Sequence, residues 1–492
     1  MSNLVTSLSD AVIDAFASNI RGEIILPKDS NYDEARKVYN AMINMYPGMI
    51  VRCTDVADVI HSVNFGRENN LSVAVRGGGH NGGGLGLCND GLVIDLSGIK
   101  YVRVNTEKKT VRVGGGNIWG EVDHATHPFG LAVPSGIIST TGVGGLTLGG
   151  GTGYLTRKYG LTIDNLLEAD MVLADGSFVT VNANQHADLF WAIRGGGGNF
   201  GIVTSFKFQA HPVKNVFAGP TLWPIEKTNE IMEWYHSFIH NAPEELNGFI
   251  ATLVIPGPPF PEELHNKHFC GIVWCYTGDL EKADEIFKPI LAMNPLFAMV
   301  GPMPYPTVQT LFDCMMPPGL QWYWRADFFN ELGIEIRNLH FEYGSKIPTA
   351  LSQMHLFPLS GAAARVGKDE TPWAYRDAKY VGVIVGVDPD PAKSHKITKW
   401  CKEYWEALHP YSSGGTYLNF IMNEGQERIK ASYRQNYERL TKIKKKYDPH
   451  NFFRINQNIL PSESNGNHYI HEKPALAAEL IRQLHYGYKF NS

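Results

Sequence analysis

The sequence predicts an α+β fold in two successive parts, a glycine-rich part with short strands and a part built on an antiparallel sheet. Of the 50 glycines in 492 residues, 29 fall between Gly77 and Gly201, where they separate short apolar runs. A flexible linker would instead mix glycine with serine and lack apolar periodicity. From about residue 215 onward, amphipathic helical stretches are interspersed with alternating strands, a pattern typical of antiparallel sheets.

The first part begins with helical stretches and a strand, helix, strand unit. We predict helices at about 5–19, 32–46, 55–69 and 117–130, and strands at 49–53, 71–75, 92–96, 110–114 and 171–176. Thr54 or Asp55 supplies the side-chain oxygen that caps the third helix. Pro128 and Gly130 end the fourth helix.

The second part alternates helices with longer strands. We predict helices near 226–240, 279–292 and 326–338, and strands at 249–255, 268–276 and 380–387. A long basic helix at 427–446 ends at Tyr447-Asp448-Pro449, and we interpret its lysines as a solvated face. The cluster Trp322-Tyr323-Trp324 is predicted to form an apolar wall.

Composition excludes several classes of protein. The formal charge is 44 − 49 = −5, which argues against a nucleic-acid-binding protein or a polybasic membrane-surface protein. The longest apolar stretches, such as 381–387, fall short of the roughly 18–20 residues that span a bilayer, and the N-terminus lacks a signal-peptide pattern. Six scattered cysteines show no zinc spacing. We therefore expect a soluble, cytoplasmic protein without a metal.

A glycine-dense loop follows the strand at 71–75. The segment RGGGHNGGGLG at 76–86 contains GxGxxG at Gly77, Gly79 and Gly82, which raises the possibility of a Rossmann site. Nine residues, four of them glycine, separate the motif from the next strand, so no crossover helix fits and we reject that fold. Such a loop is suited to phosphate binding through inward-facing backbone N–H groups, with a tight hairpin as the alternative.

Two further glycine-dense segments lie at 134–176 and 190–208. In the first, serine and threonine alternate with glycine, which suits a cradle of backbone and hydroxyl groups around a polar, extended ligand. The sequence has no GxxxxGK[ST] motif. Three such loops without a Walker lysine favour a large bound dinucleotide over ATP.

The three glycine-dense segments and a fourth segment near the C-terminus occur in the order RGGGHN, PSG…TTGVGGLTLGGGTGYLTRKYGLTIDNL, DLFWAIRGGGGNFGIVTSF and DPHNFFRINQNILP. They resemble the berberine-bridge-enzyme-like group of the vanillyl-alcohol-oxidase (PCMH-type FAD) flavoproteins between about residues 50 and 461. The resemblance implies an FAD-binding domain of two α+β subdomains, with a substrate domain inserted into it. It places these parts at 1–214 (PCMH-type from about 45), 215–415 for the substrate domain, and 416–492, with the family's C-terminal motif at about 416–461.

The same resemblance implies that His80 bonds covalently to the 8α-methyl group of FAD. Bicovalent members carry a second link through a cysteine, and here that position is Ile138. The histidine of the family's GVGGH is Leu146. We therefore predict a single covalent link through His80, and the absence of a second tether weakens the case for an oligosaccharide oxidase.

The resemblance assigns the FAD contacts to the three glycine loops and the C-terminal NQNI motif. The amides of Asn456 and Asn458 in that motif suit the polar rim of the flavin because they both donate and accept. The predicted FAD-binding residues are Arg76, Gly77, Gly78, Gly79, His80, Asn81, Gly82, Ser135, Gly136, Thr140, Thr141, Gly142, Gly144, Gly145, Gly149, Gly150, Gly153, Ile202, Val203, Asn456 and Asn458.

Family chemistry implies hydride transfer from a substrate C–H to flavin N5, proton removal by a nearby base, and reoxidation by O2 to give H2O2. Tyr417 and Asn419 resemble the family's Tyr-x-Asn motif, on one face of a predicted strand, although Phe420 replaces a tyrosine often found there. Tyr417 is a candidate base or substrate clamp. Further substrate-site candidates are His355, Arg376 and Tyr380.

The sequence thus predicts an FAD-linked oxidase that acts on a small aromatic or heterocyclic secondary alcohol or amine, with O2 as electron acceptor. Alternatives are a flavin-dependent cyclase or monooxygenase of secondary metabolism, a carbohydrate oxidase, a dehydrogenase that uses a protein or quinone acceptor, and a non-enzymatic FAD-binding protein. The substrate, the oligomeric state and the role of the 463–492 tail, with a helix predicted at 474–485, are not specified by the sequence.

Overall fold

The computed structural model describes residues 2–258 and 260–463, and the helix predicted at 474–485 lies outside them. The architecture is α+β, as predicted. The α-helices of the described residues are α1 (Asp10–Ala17), α2 (Tyr32–Ala35), α3 (Val56–Glu68), α4 (Trp119–Thr126), α5 (Val143–Gly149), α6 (Thr156–Tyr159), α7 (Ala187–Ile193), α8 (Thr228–Asn241), α9 (Ala283–Leu291), α10 (Tyr305–Gln309), α11 (Ile334–Gly344), α12 (Ala362–Arg365), α13 (Ser394–Leu408), α14 (Gln426–Tyr433) and α15 (Asn436–Tyr447).

The strands form two smaller sheets, one large sheet and a short two-stranded ribbon. They are β1 (Glu23–Ile25), β2 (Met49–Arg52), β3 (Val73–Arg76), β4 (Leu92–Asp95), β5 (Val102–Asn105), β6 (Thr110–Gly114), β7 (Leu131–Ala132), β8 (Leu166–Val172), β9 (Phe178–Asn182), β10 (Ile202–Gln209), β11 (His211–Pro212), β12 (Asn215–Pro224), β13 (Leu246–Val254), β14 (His268–Tyr276), β15 (Phe297–Ala298), β16 (Gly301–Pro304), β17 (Gln321–Phe329), β18 (Gln353–Pro358) and β19 (Tyr380–Asp388).

The first sheet has the order β1-β2-β4-β3, and β4 pairs in parallel with both β2 and β3. Helix α3 connects β2 to β3, and the Asp55 side chain caps it by accepting a hydrogen bond from the Asp58 amide, as predicted. Residues 77–91 connect the parallel neighbours β3 and β4 without an α-helix. The hairpin alternative is therefore wrong, because a hairpin joins antiparallel strands.

The second sheet is antiparallel, in the order β5-β6-β10-β8-β9. Its β10 begins directly after the third glycine loop, at Ile202. Helices α4 and α7 and the C-terminal helices α14 and α15 contribute to the same buried cluster as this sheet. The chain after residue 416 thus returns to pack against the glycine-rich part.

The large sheet is antiparallel, in the order β15-β12-β14-β13-β18-β19-β17, with β16 paired to β12. Helices α8, α9, α11 and α13 cover one face and share a buried cluster with it. The opposite face packs toward the glycine-rich part, in a cluster that joins Trp322 and Val383 to Tyr39 and Tyr417. The alternating side chains of β17, β18 and β19 therefore divide between a helix-covered core and the interface with the glycine loops.

Three predicted helices differ from the structure. The helix predicted at 32–46 is reduced to α2 (Tyr32–Ala35). Residues 321–329 form β17 because tertiary burial of the alternating QWYWRADFF residues outweighs local helical patterning, so the helix predicted at 326–338 begins instead at Ile334. The basic helix at 427–446 is two helices, broken near Arg434, whose φ is 46°.

Among the described residues, no helix combines the length and apolar character that a membrane crossing requires.

Candidate active site

A cavity of about 370 Å³ lies between the glycine loops and the large sheet. The residues that line it come from the loop after β3, helix α5, the start of β10, residues 417–420 and residues 453–457, together with β17, β18 and β19. All three predicted catalytic candidates line it: His355, Tyr417 and Asn419. The predicted cofactor residues that line it are Arg76, Gly77, Gly78, Gly79, His80, Asn81, Gly136, Thr141, Gly142, Gly144, Gly145, Gly149, Val203 and Asn456.

The other predicted cofactor residues lie outside the cavity lining, namely Gly82, Ser135, Thr140, Gly150, Gly153, Ile202 and Asn458. Ser135 accepts a hydrogen bond of 2.5 Å from Gln309 Nε2 of α10. Its hydroxyl therefore links the glycine-rich part of the chain to a helix of the part that contains the large sheet. Thr140 lies behind His80 and contacts its ring. These two residues support the cavity wall from behind it.

The first two glycine loops touch backbone to backbone. A Cβ atom on Gly78 would lie 2.5 Å from the Gly142 amide nitrogen, and one on Gly142 would lie 2.4 Å from the Gly78 nitrogen. Glycine is therefore required at this crossing. At Gly145 and Gly198, by contrast, an added Cβ would meet no atom within 4 Å, because both residues face the open cavity.

Two contacts hold the His80 ring in place, one on a ring face and one at a ring nitrogen. It stacks on Tyr39 with ring centroids 3.9 Å apart, and its Nε2 lies 3.1 Å from Thr140 Oγ1. Removal from water lowers the pKa of His80 to about 4, so the imidazole is neutral at physiological pH.

Tyr417 and Asn419 form a pair at the cavity wall. Tyr417 directly precedes a 3-10 helix at Leu418–Phe420 and Asn419 lies within it, so the predicted strand is wrong. The side chains nevertheless meet: the Tyr417 hydroxyl accepts from Asn419 Nδ2 at 2.6 Å and from the Gly151 amide at 2.8 Å. Burial raises the pKa of Tyr417. The phenol therefore stays protonated, and its O–H is available to donate to a molecule in the cavity.

His355 lies on β18, with its Nε2 2.9 Å from Gln353 Oε1. Because an amide oxygen accepts, this contact assigns the proton to Nε2 and leaves Nδ1 as an acceptor. Burial lowers the pKa of His355 to about 3, so the ring is neutral. It is an acceptor for a substrate O–H or N–H rather than a charged partner.

Arg376 and Tyr380 are not in the cavity lining. The Arg376 guanidinium pairs with both carboxylate oxygens of Asp164, at 2.7 and 2.8 Å. The Tyr380 hydroxyl lies between His236 and His240 of α8, at 2.9 and 3.0 Å, on the helix-covered side of the sheet. Neither residue is positioned to touch a substrate.

Aromatic side chains form much of the wall on the large sheet. Trp322, Trp324 and Phe357 line the cavity, whereas Tyr323 packs on the helix-covered side beside Arg325. The predicted Trp-Tyr-Trp wall therefore holds for its two tryptophans. Sequence reasoning missed Tyr39, Gln353 and Val383 as lining residues, although the alternation in QMHLFP pairs Gln353 with His355.

The cavity is nearly free of charge. Among the described residues that line it, Arg76 carries the one full charge, and its guanidinium is paired with buried Asp95 at 2.7 Å. No Asp, Glu or Lys is among those lining residues.

Several buried acceptors of the C-terminal motif have no partner. Asn456 donates from Nδ2 to the carbonyls of Phe453 (2.9 Å) and Gly198 (3.2 Å), but its Oδ1 is buried and unsatisfied, as is Oδ1 of Asn458. Unpaired buried acceptors are costly unless a ligand supplies the donor. Together with the open glycines, they fit a large ligand with N–H donors and phosphate groups, as FAD has.

Two family profiles match the chain. The one described as FAD binding domain matches residues 47–182, and the one described as Berberine and berberine like matches residues 416–460. The matched regions contain the first two glycine loops and the Tyr417–Asn419 pair with the C-terminal motif. The fold and the site thus define an FAD-dependent oxidoreductase.

Curated relatives and solved structures agree. An FAD-linked oxidoreductase of Dictyostelium discoideum is 31% identical over 459 residues, covering 92% of this chain and 98% of that protein. The (R)-6-hydroxynicotine oxidase of Paenarthrobacter nicotinovorans is 29% identical, covering 91% and 98%. The structure of 6-hydroxy-D-nicotine oxidase from Arthrobacter nicotinovorans superposes with a TM-score of 0.80 at 26% identity, covering 90% and 98%. The chain belongs to the berberine-bridge-enzyme-like family of FAD-linked oxidoreductases.

Proposed function

We propose that this protein is an oxidase for a neutral aromatic or heterocyclic secondary alcohol or uncharged amine. FAD, when bound, would supply a hydride acceptor at N5 and would be reoxidised by O2 with release of H2O2. The observation that carries the proposal is the cavity itself, which combines open glycine loops, a neutral histidine and a tyrosine–asparagine pair with an aromatic, uncharged wall. We further propose the division into FAD-binding parts at 1–214 and 416–492 and a substrate domain at 215–415.

We propose that one covalent bond, through His80 Nδ1, holds FAD. The support is local: Tyr39 stacks on the ring, Thr140 Oγ1 lies 3.1 Å from Nε2, and burial keeps the imidazole neutral. Ile138 lines the cavity where bicovalent members carry cysteine, so this chain offers no second sulfur there. The amide acceptor of Asn456, which lines the cavity, would satisfy an N–H donor of the cofactor.

The uncharged wall supports a neutral substrate. A protonated amine would exchange its hydration for a cavity in which no described lining residue is a carboxylate, which is unfavourable. A sugar would place several hydroxyl groups against Trp322, Trp324 and Phe357, where hydrogen bonds would be lost. Flat aromatic substrates suit this wall instead, because stacking of their rings on the aromatic side chains of the wall stabilises the complex.

His355 and Tyr417 have complementary roles in the proposed reaction. The substrate O–H would donate to His355 Nδ1, since Nε2–H already donates to Gln353, and the Tyr417 O–H would donate to the substrate or the cofactor rim. As the C–H leaves as hydride, the O–H proton would move to His355 Nδ1. A weak base suffices there, because a carbonyl group that still carries this proton is a much stronger acid than imidazolium.

The proposal is tested with the purified holoenzyme and a panel of neutral aryl carbinols, charged amines and sugars. Without oxygen, the neutral carbinols are expected to bleach the flavin absorbance, and on admission of O2 one H2O2 should form per substrate oxidised. Bleaching by sugars alone would contradict the argument from the wall. A reduced flavin that ignores O2 but transfers electrons to a quinone would identify a dehydrogenase instead.

A further inference from the structure

A second cavity of about 90 Å³ adjoins the active-site cavity on the same face of the large sheet. We call it the side chamber. It lies over β12, β14 and β13, beneath residues 311–316. Four residues line both cavities, namely Phe312, Met316, Gln353 and His355. The side chamber and the active site therefore share a wall that contains the proposed proton acceptor.

The walls of the side chamber are apolar. No described residue that lines it carries a formal charge, and its lining includes Leu253, Leu311 and three methionines, Met299, Met315 and Met316. Methionine is flexible and polarizable, so it adapts to ligands of varied shape. Protein interiors are normally packed without voids larger than a water molecule. An apolar void beside a reaction site therefore indicates a place kept for a ligand.

The chamber has a polar side and an open side. Its polar side is the His355–Gln353 pair, whose hydrogen bond is 2.9 Å long. Its open side reaches residues with solvent exposure, since Met299 is 43% exposed and Cys314 is exposed. Ordered water requires two to four polar partners, and the apolar stretch between these two sides does not supply them.

We propose that the side chamber binds an apolar tail, an alkyl or prenyl chain, of the same molecule whose polar head is oxidised. The inference rests on the proposed function for the identity of that head. The head's hydroxyl is held at His355 Nδ1, and the tail passes Phe312 and Met316 into the chamber. The rings of Phe249 and Phe312, with centroids 5.0 and 6.5 Å from the His355 ring, flank that path.

Binding is measured with probes that resist oxidation. In 2-(4-n-alkylphenyl)propan-2-ols the carbinol carbon bears no hydrogen, so these alcohols present the O–H and the tail without turnover. Calorimetric titration of the holoenzyme with the hydrogen, ethyl, butyl and hexyl members is expected to give a Kd that falls about fourfold per added methylene until the chamber is full.

Two variants and a matched control locate the tail. Leu311 is a half-buried residue of the chamber lining. In the Leu311→Trp variant, Kd is expected to change by less than twofold from the shortest to the longest probe. Ala251→Leu, which fills the chamber from β13, should do the same. Leu296→Trp, 59% exposed and absent from both linings, should keep the wild-type dependence on chain length.

The outcomes separate this proposal from the proposed function. A Kd that does not change with chain length in the wild type, or equal tightening in Leu311→Trp and Leu296→Trp, would overturn the chamber as the tail site. If the probes tighten as expected while no secondary carbinol bleaches the flavin, the chamber stands and the proposed oxidation fails.

Discussion

Replacing Gly145 with leucine is expected to produce a folded protein that is purified without flavin. An added Cβ at Gly145 meets no protein atom within 4 Å, and the residue lines the active-site cavity in the first turn of α5. The leucine side chain would therefore occupy the space that FAD needs. Overpacking costs of about 1–3 kcal/mol correspond to a loss in affinity of about 5- to 150-fold.

A second glycine provides the matched control. Gly301 on β16 also has no atom within 4 Å of an added Cβ, and it lines neither cavity. Gly301→Leu should retain a full complement of FAD, measured as flavin absorbance per chain after gel filtration. A single cooperative thermal unfolding transition in each purified variant should show that both variants fold. A Gly145→Leu protein that keeps stoichiometric flavin would remove Gly145 from the cofactor cradle.

Replacing Lys444 with methionine is expected to cost about 3–5 kcal/mol in the free energy of unfolding, as when one partner of a buried ion pair is removed. Its ammonium group is fully buried and donates to Asp448 Oδ2 at 2.6 Å. It also donates to the carbonyls of Asn199 at 2.7 Å and Phe453 at 2.9 Å. Methionine would leave all three acceptors without this donor.

Replacing Lys444 with methionine should also reduce the amount of FAD that the protein retains. Lys444 links the third glycine loop, through Asn199, to the segment at 453–457 that lines the cavity. Urea unfolding and FAD retention are measured together, with Lys442→Met as control. Lys442 is exposed and pairs with exposed Glu438, so its replacement should change stability by less than about 1 kcal/mol. Equal losses in the two variants would contradict the role of Lys444 as an internal tie.

Much of the cofactor cavity was predictable because it depends on local sequence. Gly78 and Gly142 are needed where two loops touch, and Gly145 faces open space; these requirements are visible as glycine clustering in the sequence. The same holds for the Asp55 cap of α3, which is a local hydrogen bond. The place of His80 in the cofactor cavity was predicted from the family motif RGGGHN.

The errors come from tertiary contacts. Residues 321–329 form β17 because both of their faces are covered, one by the helices and one by the cavity side. Lys444 looks like one of several solvated lysines on a basic helix, yet it is buried by segments far away in the chain. Tyr39 was missed because a helix was predicted where the chain bends to stack on His80. No local pattern carries this information.

Covalent attachment of FAD at His80 is tested most directly by the intact mass of the acid-denatured protein. The wild type is expected to show the mass of the chain plus one FAD, with a yellow pellet after acid precipitation. His80→Ala should show the mass of the chain alone and release FAD into the supernatant. A wild-type chain of unmodified mass, or a His80→Ala chain that still carries FAD after denaturation, would contradict a single link through His80.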